Sequence, residues 1–335
     1  PGSTFKMITA LAALEAGVVD PLASIVCDGK YPRPGGLNCW DVHKTVNFFT
    51  GFARSCNTYF QWLGELAGID MITSVGRELG LGQKTGFEDV AGEVPGVLPS
   101  RERKQEVGTA NVEKRHQLRL KELEAKYEDL LNKAATPEER QAILKQKDRE
   151  QKLLESQYQI ELAFESQWQP FDTYNTSIGQ GDTNVTVLQL ASYVSAIANG
   201  GKLYRPYVVS KVISPTGEVL HEASPQLLRE AEIKPENLEL VRQGMRAVCE
   251  PGGTGYSLVY DFPPEVRVAG KTGTAQTGRK GDDPKKDFHG VFVAFAPYDN
   301  PKIAFACIIE YGRQGNTSAG RVARDVLRHY FGLDS

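Results

Sequence analysis

The 335-residue chain is poor in cysteine: five thiols, at 27, 39, 56, 249 and 307, are too few and too scattered for a disulfide-built scaffold. It has no surplus of positive charge. Lys and Arg number 39 against 42 Asp and Glu, a net charge of −3, which argues against a nucleic-acid binder. Long hydrophobic runs are missing too. Stretches such as 291–297 and 303–309 have strand length and fall well short of the ~20 apolar residues of a membrane span. What remains, 40% hydrophobic and 24% charged, is the composition of a folded globular protein. The length allows one large domain or two modest ones.

Glycine disappears from one stretch. Between Ser100 and Gln169 the only glycine is Gly108, and 14 Lys and Arg balance 14 Asp and Glu. Positions 116, 120, 123, 127, 130 and 134 alternate steps of four and three, which predicts a coiled-coil seam. Thr136-Pro137-Glu138-Glu139 interrupts it with an N-cap, an N1 proline and an N3 glutamate, and so starts a second helix. An antiparallel helical hairpin over 100–169 is expected, inserted between 1–99 and 170–335.

Outside the hairpin, helices are expected over 4–16, 56–67, 70–79, 186–199, 235–249 and 318–332. Strands are expected over 203–213, 218–221, 266–276, 290–297 and 302–311, the last two forming a hairpin. Residues 18–50 read as an irregular loop. The fold class is α/β (α+β) with a largely antiparallel sheet. The chain opens on Pro1 and runs straight into a helix, and the reading is of a fragment whose upstream sequence is missing.

Three short motifs carry chemistry. Ser3 and Lys6 share one face of a helix start, where free N–H groups and the helix dipole favour developing negative charge. A serine hydroxyl becomes a nucleophile when a base takes its proton, and a desolvated lysine is such a base. Ser55-Cys56-Asn57 opens another helix. Lys271-Thr272-Gly273-Thr274 lies in a strand, where period two puts Thr272 and Thr274 on one face and where a glycine marks close backbone approach by a ligand. Each motif alone has a bland explanation, two N-caps and a strand with a weak point. The three in this order do not.

Together with the flanks Pro1-Gly2-Ser3-Thr4-Phe5-Lys6-Met7, Ser55-Cys56-Asn57-Thr58-Tyr59-Phe60, Ser177-Ile178-Gly179-Gln180-Gly181, Pro251-Gly252-Gly253-Thr254-Gly255 and Gly270-Lys271-Thr272-Gly273-Thr274-Ala275-Gln276, they resemble the class B penicillin-binding proteins, the elongation type above all. The resemblance covers 1–99 and about 168–332, not the hairpin. It implies the transpeptidase and serine β-lactamase-like fold, and a D,D-transpeptidase that cross-links peptidoglycan stem peptides and binds β-lactams covalently. By the same resemblance Ser3 is the nucleophile, Lys6 its base, and Ser55 a proton relay to the leaving D-alanine beside Lys271. Asn57 holds the peptide amide, and Thr272, Gly273 and Thr274 hold the terminal carboxylate and flank it. The backbone N–H groups of Ser3 and Thr274 form the oxyanion hole. No cofactor is expected. The implied partner is a glycosyltransferase of the SEDS family. The implied place is the cell membrane, with the catalytic domain on the periplasmic side and an anchor upstream.

Several features stay open or are set aside. A D,D-carboxypeptidase and a non-catalytic β-lactam sensor or scaffold are the alternative functions. Cys27 and Cys39 are either a disulfide or two free thiols. With Asp41 and His43 they also match, loosely, a zinc site of the kind found in some elongation-type relatives, and no metal is expected. Glu128 fits a Glu-x-x-Leu-Asn pattern that activates water in class A β-lactamases, but it falls within the coiled-coil run. His289 reads as structural.

Overall fold

The computed structural model describes residues 1–278 and 287–334. The chain separates into two compact units, Pro1–Leu98 with Pro170–Ser335, and Pro99–Gln169.

In the larger unit a 3-10 turn, Gly2–Phe5, leads into α1 (Lys6–Glu15). The short strands β1 (Ile25–Cys27) and β2 (Lys44–Val46) pair antiparallel, and α2 (Phe48–Ala53) and α3 (Asn57–Glu78) follow. The expected irregular loop over 18–50 therefore contains two strands and the start of a helix. Its three-residue strands are too short to show a period. Gly68 (φ 75°, ψ 158°) breaks α3 where two separate helices were expected. The hairpin supplies α4 (Arg101–Lys133) and α5 (Pro137–Ser166). Next come α6 (Pro170–Ser177), α7 (Val187–Ala198), β3 (Lys202–Tyr204), β4 (Lys211–Ile213), β5 (Val219–Glu222) and β6 (Leu227–Glu230). The strand expected over 203–213 is split into β3 and β4. Pro206 lies between them and has no N–H to give to a ladder. The chain closes with α8 (Pro235–Val248), α9 (Tyr256–Val259), β7 (Ala269–Gln276), β8 (Phe288–Ala296), β9 (Ile303–Ile309) and α10 (Ala319–Tyr330).

The central sheet has the order β7-β8-β9, antiparallel throughout. Alternation along β8 sorts its side chains. Phe292, Ala294 and Ala296 pack with Ala319, Ala323 and Leu327 of α10 and with Leu258 and Val259 of α9. Val291, Val293 and Phe295 are buried on the opposite face. Helix α1 has almost no polar face. Met7, Ile8, Ala10, Leu11, Ala12 and Ala13 are wholly buried, as a helix enclosed on all sides requires.

In the smaller unit α4 and α5 pack antiparallel. The ring of His116 stacks on Tyr158 at 4.3 Å, and Arg119–Glu161 (2.8 Å) and Lys126–Glu150 (2.7 Å) bridge the arms. The seam differs from expectation at one position. Leu130 is 37% exposed, and the inward step from Tyr127 goes to Leu131. The added step of four keeps the stripe at the 3.6-residue period of a straight helix. Thr136 accepts from the Glu139 N–H, and the Glu139 carboxylate returns to the Thr136 N–H, so the expected capping box forms.

Candidate active site

The site is assembled around the turn that carries Ser3. Gly2 adopts φ 56°, and a Cβ there would stand 2.6 Å from the Thr274 carbonyl oxygen. Its N–H donates to the Gly179 carbonyl at 2.9 Å. On the other side, a Cβ at Gly273 would lie 3.0 Å from the Pro1 carbonyl oxygen and 3.0 Å from Thr4. The glycine of Lys-Thr-Gly thus admits the turn that carries Ser3 on the side where a Cβ would stand. Tyr193, fully buried, holds the turn from behind by donating to the Thr4 carbonyl.

Ser3 is partly exposed and Lys6 fully buried, one turn apart. The Lys6 Nζ donates to the Ser55 carbonyl (2.8 Å), to Ser55 Oγ (3.2 Å) and to Asn57 Oδ1 (2.7 Å), and it lies 5.2 Å from the centre of the Phe60 ring. Lys271, also fully buried, donates to the same Ser55 Oγ at 2.8 Å and to the Thr272 carbonyl at 3.0 Å. One hydroxyl therefore joins two lysines. Burial pushes the Lys6 pKa down from 10.5 to about 8. Lys271 is pushed well below its ordinary value by burial first and by the Lys6 charge second. Both shifts favour a neutral amine in the pair.

Ser55 reaches this position through an unusual backbone. Its φ is 52°, its N–H bonds to the Phe52 carbonyl (3.0 Å), and the next N–H, of Cys56, bonds to the Gly51 carbonyl (2.9 Å). That is the Schellman closure of α2, with serine in the left-handed position that glycine usually fills. The N-cap of α3 is Cys56, so neither Ser55 nor Asn57 is the cap that sequence had to weigh against function. A left-handed serine whose hydroxyl joins two buried lysines is the kind of backbone outlier that clusters at functional sites.

On β7, Thr272 Oγ1 lies 2.8 Å from Thr254 Oγ1, whose turn is tied back by a bond from the Thr254 N–H to the Ala53 carbonyl (2.9 Å). Thr254 was visible only as a flank in Pro251–Gly255 and was given no role. Glu128 is exposed on α4, inside the smaller unit. His289 Nδ1 accepts from the Tyr311 N–H at 3.1 Å.

A second cluster adjoins the first. Cys27, Cys39, His43 and Cys56 bring their ligand atoms within 4.8 Å of one another. Measured edges are 3.7 Å from Cys27 Sγ to His43 Nδ1, 3.4 Å from Cys39 Sγ to the same nitrogen, and 4.0 Å between Cys39 and Cys56. Tetrahedral zinc with Zn–S bonds of about 2.3 Å has ligand–ligand edges near ~3.8 Å. Three thiols and an imidazole at these spacings fit that ion, whereas the sequence pointed to no metal and to a loose set containing Asp41. Asp41 instead lends its carbonyl to Cys27 Sγ (3.6 Å), while its carboxylate caps the Val42 N–H (2.7 Å). Cys56 takes its place because the Ser55–Asn57 turn packs against the loop. None of the five cysteines is joined in a disulfide, Cys27 and Cys39 included. The cluster reaches the site directly, since the Asn57 N–H donates to Cys39 Sγ at 3.2 Å.

Comparison with known proteins agrees with this geometry. The penicillin binding protein transpeptidase domain family matches residues 1–328. Peptidoglycan D,D-transpeptidase MrdA of Acinetobacter baumannii is 30% identical over 98% of this chain, which spans 42% of that protein. Pseudomonas aeruginosa PBP2, solved in complex with WCK 5153, is 28% identical with a TM-score of 0.70, over 98% of this chain and 60% of that one. Helicobacter pylori PBP2, solved with MreC, shares the fold at 23% identity and a TM-score of 0.69, over 100% of this chain and 50% of that one. With its serine turn, its lysine-bridging hydroxyl and its Lys-Thr-Gly strand in place, and with nearly its whole length matched, the chain belongs to the penicillin-binding protein transpeptidase family.

Proposed function

We propose that this chain is the acyl-transfer unit of a peptidoglycan D,D-transpeptidase of the elongation type, acting through a serine acyl-enzyme. The observation that carries the reading is the Ser55 hydroxyl held at once by Lys271 and by Lys6, which follows Ser3 by one turn of helix. In this reading neutral Lys6 takes the Ser3 proton as Ser3 Oγ attacks the D-Ala-D-Ala carbonyl. The N–H groups of Ser3 and Thr274 stabilise the oxyanion, at about 3–4 kcal/mol per donor. The proton then passes through Ser55 to the nitrogen of the departing D-alanine, while the Ser3 ester keeps the donor peptide. Asn57 orients the donor amide. Lys271, Thr272 and Thr274 bind the carboxylate, with Gly273 between them lying against the Ser3 turn. An amine of a second stem peptide then resolves the ester. The same first half-reaction opens a β-lactam ring and traps the serine.

The rival readings part from this one once the acyl-enzyme has formed. A D,D-carboxypeptidase hands the acyl group to water, and a sensor or scaffold stops at the ester. A relative 30% identical to this chain is named as a transpeptidase, which favours amine transfer. No helix among the described residues is long and apolar enough to cross a membrane. We place the site on the periplasmic side of the cell membrane, tethered by sequence upstream, with a SEDS-family glycosyltransferase as partner. A solved peptidoglycan synthase complex described as coordinating polymerization and crosslinking, similar in fold to this chain, supports an assembly of this kind. We assign the Cys27–Cys39–His43–Cys56 cluster a structural zinc that ties the 27–43 loop to the start of α3; it would supply cross-linking and no catalytic step. We further read 100–169 as a modular arm.

Four outcomes test this. Penicillin should add one covalent adduct to the peptide bearing Ser3 by intact-mass analysis, and Ser3→Ala should show none. The second-order acylation rate should rise about tenfold per pH unit towards pH 8 and level off above it, because Lys6 accepts a proton only when neutral; Lys6→Arg should fold normally, by circular dichroism, yet fail to acylate. Metal analysis should find one zinc per chain, with a chelator lowering the melting temperature and Cys39→Ala abolishing zinc content. Replacing 104–166 with a short Gly/Ser linker should leave acylation within a few fold, since loop-closure cost rises only about 0.6 kcal/mol per doubling of length. Loss of soluble protein would instead make the arm part of the core.

A further inference from the structure

The free edge of β7 is not bare. Among the described residues β7 has a strand partner on one side only, β8. On the other side Gln180 reaches across from the turn after α6. Its Nε2 donates to the Thr274 carbonyl at 3.2 Å, and its Oε1 accepts from the Gln276 N–H at 3.3 Å. The side chain is well anchored for this. The Gln180 N–H bonds to the Asn175 carbonyl (2.9 Å), its own carbonyl accepts from Thr183 Oγ1 (3.1 Å), and left-handed glycines stand on both sides, Gly179 (φ 70°) and Gly181 (φ 69°). Gly179 also accepts from Gly2, so the turn that aims Gln180 is the one that braces the nucleophile.

The geometry of an antiparallel pair gives this bond a consequence. In a hydrogen-bonded pair, two facing residues exchange both bonds, each N–H going to the other's carbonyl. If the N–H of Thr274 is one oxyanion donor, the residue that supplies the reacting carbonyl faces Thr274. The N–H of that same residue must then go to the Thr274 carbonyl. Gln180 occupies that oxygen. We propose that Gln180 is a positioning residue that holds the edge of β7 closed in the free protein and surrenders the Thr274 carbonyl to acyl donors bearing an N–H next to the reacting carbonyl. This inference rests on the acyl-transfer reading above. α-Acylamino donors, the stem peptide being one, must displace the Gln180 carboxamide, so Gln180 slows them relative to donors that lack that N–H. A donor without that N–H leaves the carboxamide where it is.

The test uses two β-lactams that differ at this point. A penicillin carries an acylamino N–H beside the reacting carbonyl; a carbapenem carries a hydroxyethyl group there. Second-order acylation rates are measured with both in the intact protein, for wild type, Gln180→Ala and the near-isosteric Gln180→Met. Removing a competing hydrogen bond should speed penicillin about three- to tenfold in both variants and leave the carbapenem within twofold. A purely structural glutamine would move both rates together, and that result overturns the proposal, as does a penicillin rate that falls or stays unchanged. If Gln180→Ala does not fold, Gln180→Met gives the same ratio. Wild-type protein acylated by neither compound overturns the acyl-transfer reading itself, and this inference with it.

Discussion

Two ammonium groups buried around one hydroxyl set the terms for the rest of this structure. Removing a charged lysine from water is expensive, and here Lys6 and Lys271 are both wholly buried and both donate to Ser55 Oγ. The acceptors around them are neutral oxygens, of Ser55, Asn57 and Thr272. The cost is met by giving up a proton, which is what a base near neutral pH requires. It also explains why three separate elements converge: α1 brings Lys6, the α2–α3 junction brings Ser55, and β7 brings Lys271. A looser arrangement would let water in and restore the ordinary lysine pKa.

Glycine then fixes the spacing that convergence needs. The turn bearing Ser3 is pressed between β7 and the 177–181 turn, with Gly2, Gly179 and Gly273 at the contacts. Any side chain at Gly2 would strike the Thr274 carbonyl, and Gly2 also requires a left-handed φ. Ser55 is the converse case, a residue that carries a side chain in a left-handed position and accepts the strain to place its hydroxyl.

The chemistry was legible because it is local. Ser3 and Lys6 share a helix face, and Lys271 to Thr274 share a strand, so spacing alone predicts their relation. The coiled-coil hairpin was legible for the same reason, apart from Leu130, where a strict seven-residue repeat and a 3.6-residue helix part company. What sequence did not yield depends on distant closure. Cys56 joins Cys27, Cys39 and His43 only because the loop over 27–43 folds back onto the start of α3. Gln180 meets β7 across 94 residues of chain, and nothing in its neighbourhood says which backbone oxygen it will find. The strands β1, β2 and β6 are too short to announce themselves by alternation.

These distant contacts give the site two walls with different supports. On one side, Asn57 is set by the cysteine loop. Its backbone N–H goes to Cys39 Sγ and its Nδ2 to the Asn38 carbonyl (3.1 Å), leaving Oδ1 for Lys6. Whatever fixes the thiols also fixes the amide that meets Lys6. On the other side, the edge of β7 is filled by a single carboxamide whose two bonds span two residues of the strand, Thr274 and Gln276. A neutral hydrogen bond of this kind contributes only about 1 kcal/mol net. A donor peptide that offers its own N–H in the right register can replace it. The first wall is held by three hydrogen bonds at once, to Cys39, Asn38 and Lys6. The second is held by a bond weak enough to exchange. In the proposed reaction the first wall therefore aligns Lys6, and the exchangeable wall reads the donor.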